Sequence, residues 1–413
     1  MARAKTPGPQ LADFVAARAV VGRVAQATPM ESSRNISAIL GSEVLLKCEN
    51  LQRTGSYKVR GAFNLIAQLS AAERKMGVVA ASAGNHAQGV ALAAKELGIK
   101  ATIFMPLGVA LPKLEATQGY GAQVVLEGNI FNESLTAAKA FAARTGAVFI
   151  PPFDDERVIA GQGTVGLEIL EQVPDVDTII VPIGGGGLIS GVAAAVKMRA
   201  AELGRKVRII GVQAENAAAY PPSLKAGKPV KVDVLPTISD GIAVATPGTL
   251  NFPIIKHYVD EVVTVSDDVT AKALVMLLER AKLVVEPAGA VSVAAILEGK
   301  IKKSGKTVAI LSGGNIDPML MQRIVAHGLA ASDRYLKLRI MLPDRPGQLA
   351  ATSQLVAQAN ANVVEVVHTR HGKFQINEAE LELHIETRGP THSQAVVKTL
   401  RDAGYQVREI DDI

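Results

Sequence analysis

Four segments of this chain combine glycine with residues that can hold an anion, form a covalent bond or move a proton. They are Gly55-Ser56-Tyr57-Lys58, Ser82-Ala83-Gly84-Asn85-His86, Gly184-Gly185-Gly186-Gly187-Leu188 and Ser312-Gly313-Gly314-Asn315. Taken singly, each also reads as an ordinary turn. The run Gly184 to Gly187 says more, because it follows the apolar run Thr178 to Ile183 and precedes a helical stretch that starts at Leu188. Glycines without side chains let backbone N–H groups converge on an anion, and a helix N-terminus adds its partial positive charge. That arrangement predicts a phosphate site. It lacks the G-x-x-x-x-G-K-[ST] spacing of a nucleotide loop, and no third glycine stands at the offset of a dinucleotide fingerprint. The phosphate should therefore belong to something smaller.

An isolated lysine is normally a solvated surface residue. Lys58, however, follows a Gly-Ser turn in a chain that also carries a small-phosphate loop. Schiff-base chemistry needs such an amine, held in place and with a lowered pKa. Lysine together with a small phosphate points to pyridoxal 5′-phosphate.

The elements that must position these residues are legible as two patterns. From Lys47 to about Leu329, short β-branched runs alternate with Ala-rich helical stretches, which predicts an α/β region built on open, mainly parallel sheets. The expected strands are 78–82, 101–105, 123–126, 178–183, 207–213, 261–265 and 307–312, most of them apolar enough to be covered on both faces. Past Asp333 the pattern changes to period two: Leu336, Leu338, Ile340 and Leu342, then Leu381, Leu383 and Ile385, alternate with polar residues. Leu349, Thr352, Val356 and Ala359 keep helical spacing, as do Val396, Leu400 and Ala403. The order is that of a ferredoxin-like βαββαβ domain. The expected division is a catalytic region over 1–330, made of two interleaved α/β subdomains, and a second domain over 334–413, with the boundary at 331–334.

Composition narrows the class. The 413 residues are 48% hydrophobic and 20% charged with a formal net charge of +5, which describes a folded globular chain without a basic tract for nucleic acid. A single cysteine, Cys48, suits a reducing compartment, and no apolar segment resembles a signal peptide. The charge-free stretch Ile179 to Val196 carries four glycines in its middle, so a buried strand, loop and helix explain it better than a membrane span. A cytoplasmic protein is expected, with no nucleic-acid or membrane partner.

Five stretches, GSYKVRGA (55–62), ASAGNHAQG (81–89), VPIGGGGLISG (181–191), EPAGA (286–290) and LSGGN (311–315), together resemble the threonine and serine dehydratases of the fold type II pyridoxal-phosphate family. They occur in the family's order and cover about residues 10 to 330. The resemblance implies a tryptophan-synthase-β-like arrangement of two α/β subdomains. It makes Lys58 the covalent anchor and the catalytic base, Asn85 the partner of the pyridoxal 3′-oxygen, Gly184, Gly185, Gly186, Gly187 and Leu188 the phosphate cradle, and Ser312 the neighbour of the pyridine nitrogen. Ser82, Ala83, Gly84, Asn85 and His86 would receive the substrate carboxylate. The implied reaction is dehydration and deamination of L-threonine to 2-oxobutanoate and ammonia, and of L-serine to pyruvate. A dehydratase for serine or 3-hydroxyaspartate, or a β-replacement synthase of the same fold, remain the alternatives.

Three departures matter. The family usually has Phe where Tyr57 stands, so a buried hydroxyl there would need a partner. Related racemases carry a second serine at the position of Ala83, which removes that route to racemisation. The acidic positions of a cation site are replaced near Gln213 and Ala219, although Glu215 is close, and no metal is expected. A neutral hydroxyl at Ser312, in place of a carboxylate, leaves the pyridine nitrogen largely unprotonated and makes a weaker electron sink, which favours β-elimination.

The segment Leu342-Pro343-Asp344-Arg345-Pro346-Gly347-Gln348-Leu349 resembles the first loop of ACT domains, the amino-acid-sensing modules of metabolic enzymes. That resemblance implies an amino-acid or nucleotide effector held at Asp344, Arg345, Gly347 and Gln348, allosteric control, a homodimer or homotetramer, and a place in isoleucine biosynthesis. A domain that only cements an oligomer is the other reading.

Overall fold

The apolar runs upstream of Ser312 form two open sheets. The structure, a computed structural model, describes residues 6–303, 305–330, 333–370 and 377–410. Its strands in the catalytic region are β1 Met30–Ser32, β2 Val44–Cys48, β3 Val78–Ala81, β4 Ala101–Met105, β5 Gln123–Leu126, β6 Val148–Phe149, β7 Thr178–Pro182, β8 Arg208–Ala214, β9 Glu261–Val265 and β10 Thr307–Leu311. One sheet has the order β1-β2-β10-β7-β8-β9 and the other β5-β4-β3-β6. Every pairing is parallel except that of β1 with β2.

The chain opens the larger sheet with β1 and β2, builds the smaller one with β3 to β6, and returns, so the two subdomains are interleaved. Strands β3, β4, β7 and β10 are buried at every position, as the continuous apolar runs require. All seven expected strands are present within a residue or so. The short β1 and β6, and the whole of β2, are additional.

Parallel strands with helical crossovers leave a crevice outside their carboxyl ends, where ligands bind in such sheets. The four glycine segments lie there. Ser82 follows β3, Gly184 follows β7, Ser312 follows β10, and the Lys58 segment follows β2 after one turn of 3₁₀ helix at Glu49–Leu51. The charge-free stretch 179–196 is β7, the glycine loop and most of the buried part of helix Gly187–Glu202. Among the described residues no helix is long and apolar enough to cross a membrane.

Contacts divide the chain into two units, Met1–Pro318 and Met319–Ile413. Helix Pro318–Ala330 precedes the expected boundary, of which residues 331 and 332 lie outside the described residues. The second unit contains β11 Tyr335–Pro343, helix Gln348–Gln358, β12 Asn362–Thr369, β13 Glu378–Glu386, helix Pro390–Asp402 and β14 Gln406–Glu409. Its antiparallel sheet runs β12-β13-β11-β14, the ferredoxin-like order. Leu338, Ile340, Leu381, Leu383 and Ile385 turn their period-two face onto Val356, Val396 and Leu400 of the helices.

Candidate active site

Helix Lys58–Ala67 is buried along almost its whole length, and its third residue explains how it is held. Arg60 is fully buried and donates from Nε and Nη2 to Glu49 at 2.8 Å each, and from Nη1 and Nη2 to Glu168 at 2.7 and 2.9 Å. Buried Lys47 of β2 donates to Glu168 at 2.9 Å and to the carbonyl of Thr28 at 3.0 Å. This closed cluster of two cations and two carboxylates ties the lysine helix to β2 and to helix Glu156–Gln172. Removing one member of a buried pair typically costs about 3–5 kcal/mol, because the remaining charge is left uncompensated.

Lys58 opens that helix, half-buried, and its Nζ donates to the carbonyl of Pro152 at 3.0 Å. Burial lowers its pKa to about 8, against the opposing pull of the Glu286 carboxylate. A lysine so placed has a substantial neutral fraction near physiological pH, which a nucleophile or base requires. The Tyr57 ring lies beneath it, its centroid 5.3 Å from Nζ, and burial pushes the Tyr57 hydroxyl pKa up.

The glycine loop is packed closely from one side. Gly186 has φ +107° and is the uncapped N-cap of helix Gly187–Glu202, so the first-turn N–H groups have no side-chain acceptor. A Cβ at Gly185 would lie 2.4 Å from the Phe153 ring, at Gly186 2.2 Å from Tyr220 Oη, and at Gly187 2.8 Å from Phe153 Cβ. Tyr220 Oη donates to the Gly185 carbonyl at 2.9 Å, as does the Gly248 N–H at 3.0 Å. Asp154 accepts from the N–H groups of Thr249 and Leu250, and Asn251 Nδ2 donates to the Phe153 carbonyl. Only a backbone without side chains fits here, and with the uncapped helix end it makes an anion cradle. Segment 152–154 therefore joins the lysine to that cradle.

The asparagine loop completes the ring. Ser82 follows β3, its Oγ accepts from the Gly84 N–H at 3.2 Å, and helix Asn85–Glu96 begins at the next residue. Asn85 Nδ2 donates to Glu286 Oε1 at 2.6 Å, and Asn85 Oδ1 accepts from Asn315 Nδ2 at 2.8 Å. Ser312 is buried at the end of β10, and its carbonyl accepts from the Tyr57 N–H at 3.2 Å. Lys58, Asn85 and Ser312 are thus gathered with the 82–86 loop, and 152–154 links Lys58 to Gly184–Leu188. Asp344, Arg345, Gly347 and Gln348 belong to the second unit, where Gly347 (φ +88°) is the N-cap of helix Gln348–Gln358 and Asp344 pairs with Arg370 at 3.2 Å.

His86 faces inward, with Nε2 2.9 Å from the carbonyl of Ile150. A carbonyl only accepts, so Nε2 carries the proton. Burial, with Lys58 nearby, lowers its pKa to about 3. The ring is neutral when folded and charges near pH 6.5 when unfolded, so its contribution to stability is full above about 6.5 and is lost as pH falls toward 3. Urea unfolding between those limits should show a slope of about 1.4 kcal/mol per pH unit from this one group. A His86→Gln variant should lack it, and an unchanged slope would mean the ring is not buried neutral.

Sequence reasoning missed Pro152, Phe153, Asp154, Tyr220 and Asn251, and assigned no role to Glu286 or Asn315. Pro-Pro-Phe-Asp follows a two-residue strand that no periodicity reveals. Gln213, considered only as a substituted cation ligand, accepts from the Tyr220 N–H at 2.9 Å and so supports the segment that carries Tyr220 to the loop. Among the described residues no group of three or more His, Cys, Asp or Glu is placed to hold a metal.

A crevice at strand carboxyl ends with a low-pKa lysine and a glycine anion cradle defines an enzyme for a small phosphorylated cofactor. The family described as "Pyridoxal-phosphate dependent enzyme" matches residues 23–313. The chain is 49% identical over 400 residues to the L-threonine ammonia-lyase of Thermotoga maritima, covering 96% of this chain and 98% of that protein. Among solved structures it is similar to the processed form of threonine deaminase isoform 2 from Solanum lycopersicum (TM-score 0.72, 37% identity, 78% of this chain and 95% of that one). It is also similar to maize serine racemase (TM-score 0.71, 38% identity, 76% and 96%). The chain belongs to the pyridoxal-phosphate-dependent enzyme family, and its cofactor is pyridoxal phosphate.

Proposed function

We propose that this protein is a threonine ammonia-lyase that converts L-threonine to 2-oxobutanoate and ammonia, and L-serine to pyruvate and ammonia. The observation that carries the reading is the position of Lys58, its amine desolvated and tied through Pro152 to the segment that packs the glycine cradle. The relatives' names agree with it.

Gly184 to Leu188 would hold the cofactor phosphate, Lys58 its aldehyde carbon, Asn85 its 3′-oxygen and Ser312 its pyridine nitrogen. Bound there, the cofactor supplies the electron sink for the Cα carbanion. Lys58, once freed by the incoming amine of the substrate, would be the base that takes the Cα proton, and the β-hydroxyl would leave the adjacent carbon as water. Ser82 to His86 would receive the substrate carboxylate on backbone N–H groups, since the neutral His86 ring brings no positive charge. Ala83 offers no hydroxyl to return a proton to the opposite face, which favours elimination over racemisation.

The second unit fits an ACT-like regulatory module in a cytoplasmic homodimer or homotetramer, its effector at the Asp344 to Gln348 loop. Steady-state release of ammonia from threonine, serine and 3-hydroxyaspartate, repeated with isoleucine, valine and nucleotides, tests both parts. Threonine should have the highest kcat/KM, and an effector should shift the apparent affinity by roughly 5- to 150-fold. A preference for another hydroxy amino acid overturns the substrate assignment, and indifference to every added ligand overturns the regulatory one.

A further inference from the structure

The bonds around Asn85 have a direction. The carbonyl of Thr54 can only accept, so Asn315, which reaches it at 2.7 Å, must present Nδ2 there. The second hydrogen of that Nδ2 goes to Asn85 Oδ1 at 2.8 Å. Asn85 is thereby oriented with its amide nitrogen toward Glu286, which accepts at 2.6 Å. One Nδ2 hydrogen of Asn85 is used by Glu286, and one remains.

Two motif glycines make this chain of bonds possible. A Cβ at Gly55 would lie 2.3 Å from Asn315 Oδ1, and a Cβ at Gly313 would lie 2.3 Å from Glu286 Oε1 and 3.1 Å from Asn85 Nδ2. The backbone of Gly313 also accepts from the Glu286 N–H at 3.0 Å, so the carboxylate is fixed at the start of helix Pro287–Leu297. Glycines 55 and 313 leave room for a polar relay running Thr54–Asn315–Asn85–Glu286.

We propose that Glu286 is a positioning residue, whose carboxylate locks the Asn85 amide so that its remaining N–H is presented to the oxygen of the cofactor held by Lys58. The inference rests on the assignment of Lys58 and Asn85 made under the proposed function. An ionised acceptor makes the shorter and stronger bond, so it holds firmly the Asn85 amide whose direction Asn315 sets at the other end. A protonated Glu286 accepts as a neutral group, so the bond is weaker and the amide is held less firmly.

The groups facing Glu286 are Asn85, the Tyr57 hydroxyl, Lys58, Asp240 and Lys113. Asp240 and Lys113 pair with each other at 3.4 Å, so their effects on it are opposed. Burial is the largest influence and raises the Glu286 pKa to about 7. The lock is therefore at full strength above neutrality and weakens as pH falls through about 7.

The full-length holoenzyme, wild type and Glu286→Gln, is compared by cofactor titration, followed through the visible absorption of the lysine-bound cofactor, and by kcat/KM for threonine between about pH 5.5 and 9. Cofactor affinity and kcat should each fall about tenfold in Glu286→Gln, as expected when a charged acceptor becomes neutral. The decline of kcat/KM below neutrality should flatten, whereas Glu286→Asp, which keeps the charge, should retain it. A purely structural role would lower stability without removing that acid limb. If the wild type shows no visible band and borohydride attaches no mass to Lys58, the reading of the whole site fails. If the wild type loads and Glu286→Gln matches it in affinity and pH profile, only the role of Glu286 fails. Failure of both variants to fold, judged by circular dichroism, would likewise make the residue structural and overturn the proposal.

Discussion

Lys58→Ala should abolish turnover, with a loss of about 10⁴-fold or more, while leaving the protein folded. General-base action alone contributes roughly 10²- to 10⁴-fold, and the covalent anchor of the cofactor is lost in the same substitution. The fold should survive because the buried charge cluster that holds the helix runs through Arg60, Glu49, Glu168 and Lys47, and Lys58 takes no part in it. Its amine donates to the carbonyl of Pro152 from a half-buried position. Circular dichroism should be unchanged, the visible band should disappear, and borohydride followed by peptide mapping should mark Lys58 in the wild type. A few per cent of residual dehydration in the variant would sink the assignment of this lysine.

Strands β3, β4, β7 and β10 were legible because they are buried on both faces. A run such as Thr178-Ile-Ile-Val-Pro182 needs no partner to be read as a strand, and the alternation in β11 and β13 is equally local. Strand β2 was not legible. It ends in Lys47 and Cys48, and a lysine at a strand's end reads as surface until Glu168, 121 residues away, is seen to neutralise it. Arg60 and Glu49 conceal themselves for the same reason, since composition cannot show which charges meet in the interior.

The chemistry divides along the same line. Lys58, the glycine loop and the asparagine loop were visible as motifs, each self-contained in a few residues. Phe153 and Tyr220, which reach Gly185 and Gly186 from distant segments, were not, and Glu286, though inside a motif, had no legible role because its partner Asn85 lies 201 positions away. A motif shows which atoms can react. What surrounds those atoms depends on how two separate sheets bring the carboxyl ends of β3, β7 and β10 to one crevice.

The cradle can be tested by a substitution that adds one carbon. In Gly186→Ala the new Cβ would stand 2.2 Å from Tyr220 Oη and 2.9 Å from both Asn251 Cβ and Ile255 Cδ1. Tyr220 cannot withdraw freely, because Oη holds the Gly185 carbonyl and the side chain is fully buried. The position also has φ +107°, where an L-residue is strained. Backbone strain of about 1–3 kcal/mol and overpacking of about 1–3 kcal/mol together predict a destabilisation of roughly 2–6 kcal/mol, unless the loop moves. Either outcome displaces the N–H groups of the helix end, so the cofactor should bind at least about tenfold more weakly, which corresponds to some 1.4 kcal/mol. Gly204, just past the other end of the same helix, separates the two causes. It has φ +67° and no atom within 4 Å of an added Cβ. Gly204→Ala should therefore carry strain alone, about 1–2 kcal/mol, and leave cofactor affinity unchanged. Thermal melting with cofactor titration of both variants decides the matter. Equal losses of affinity in the two would show that general destabilisation, and not the shape of the loop, governs how the phosphate is held.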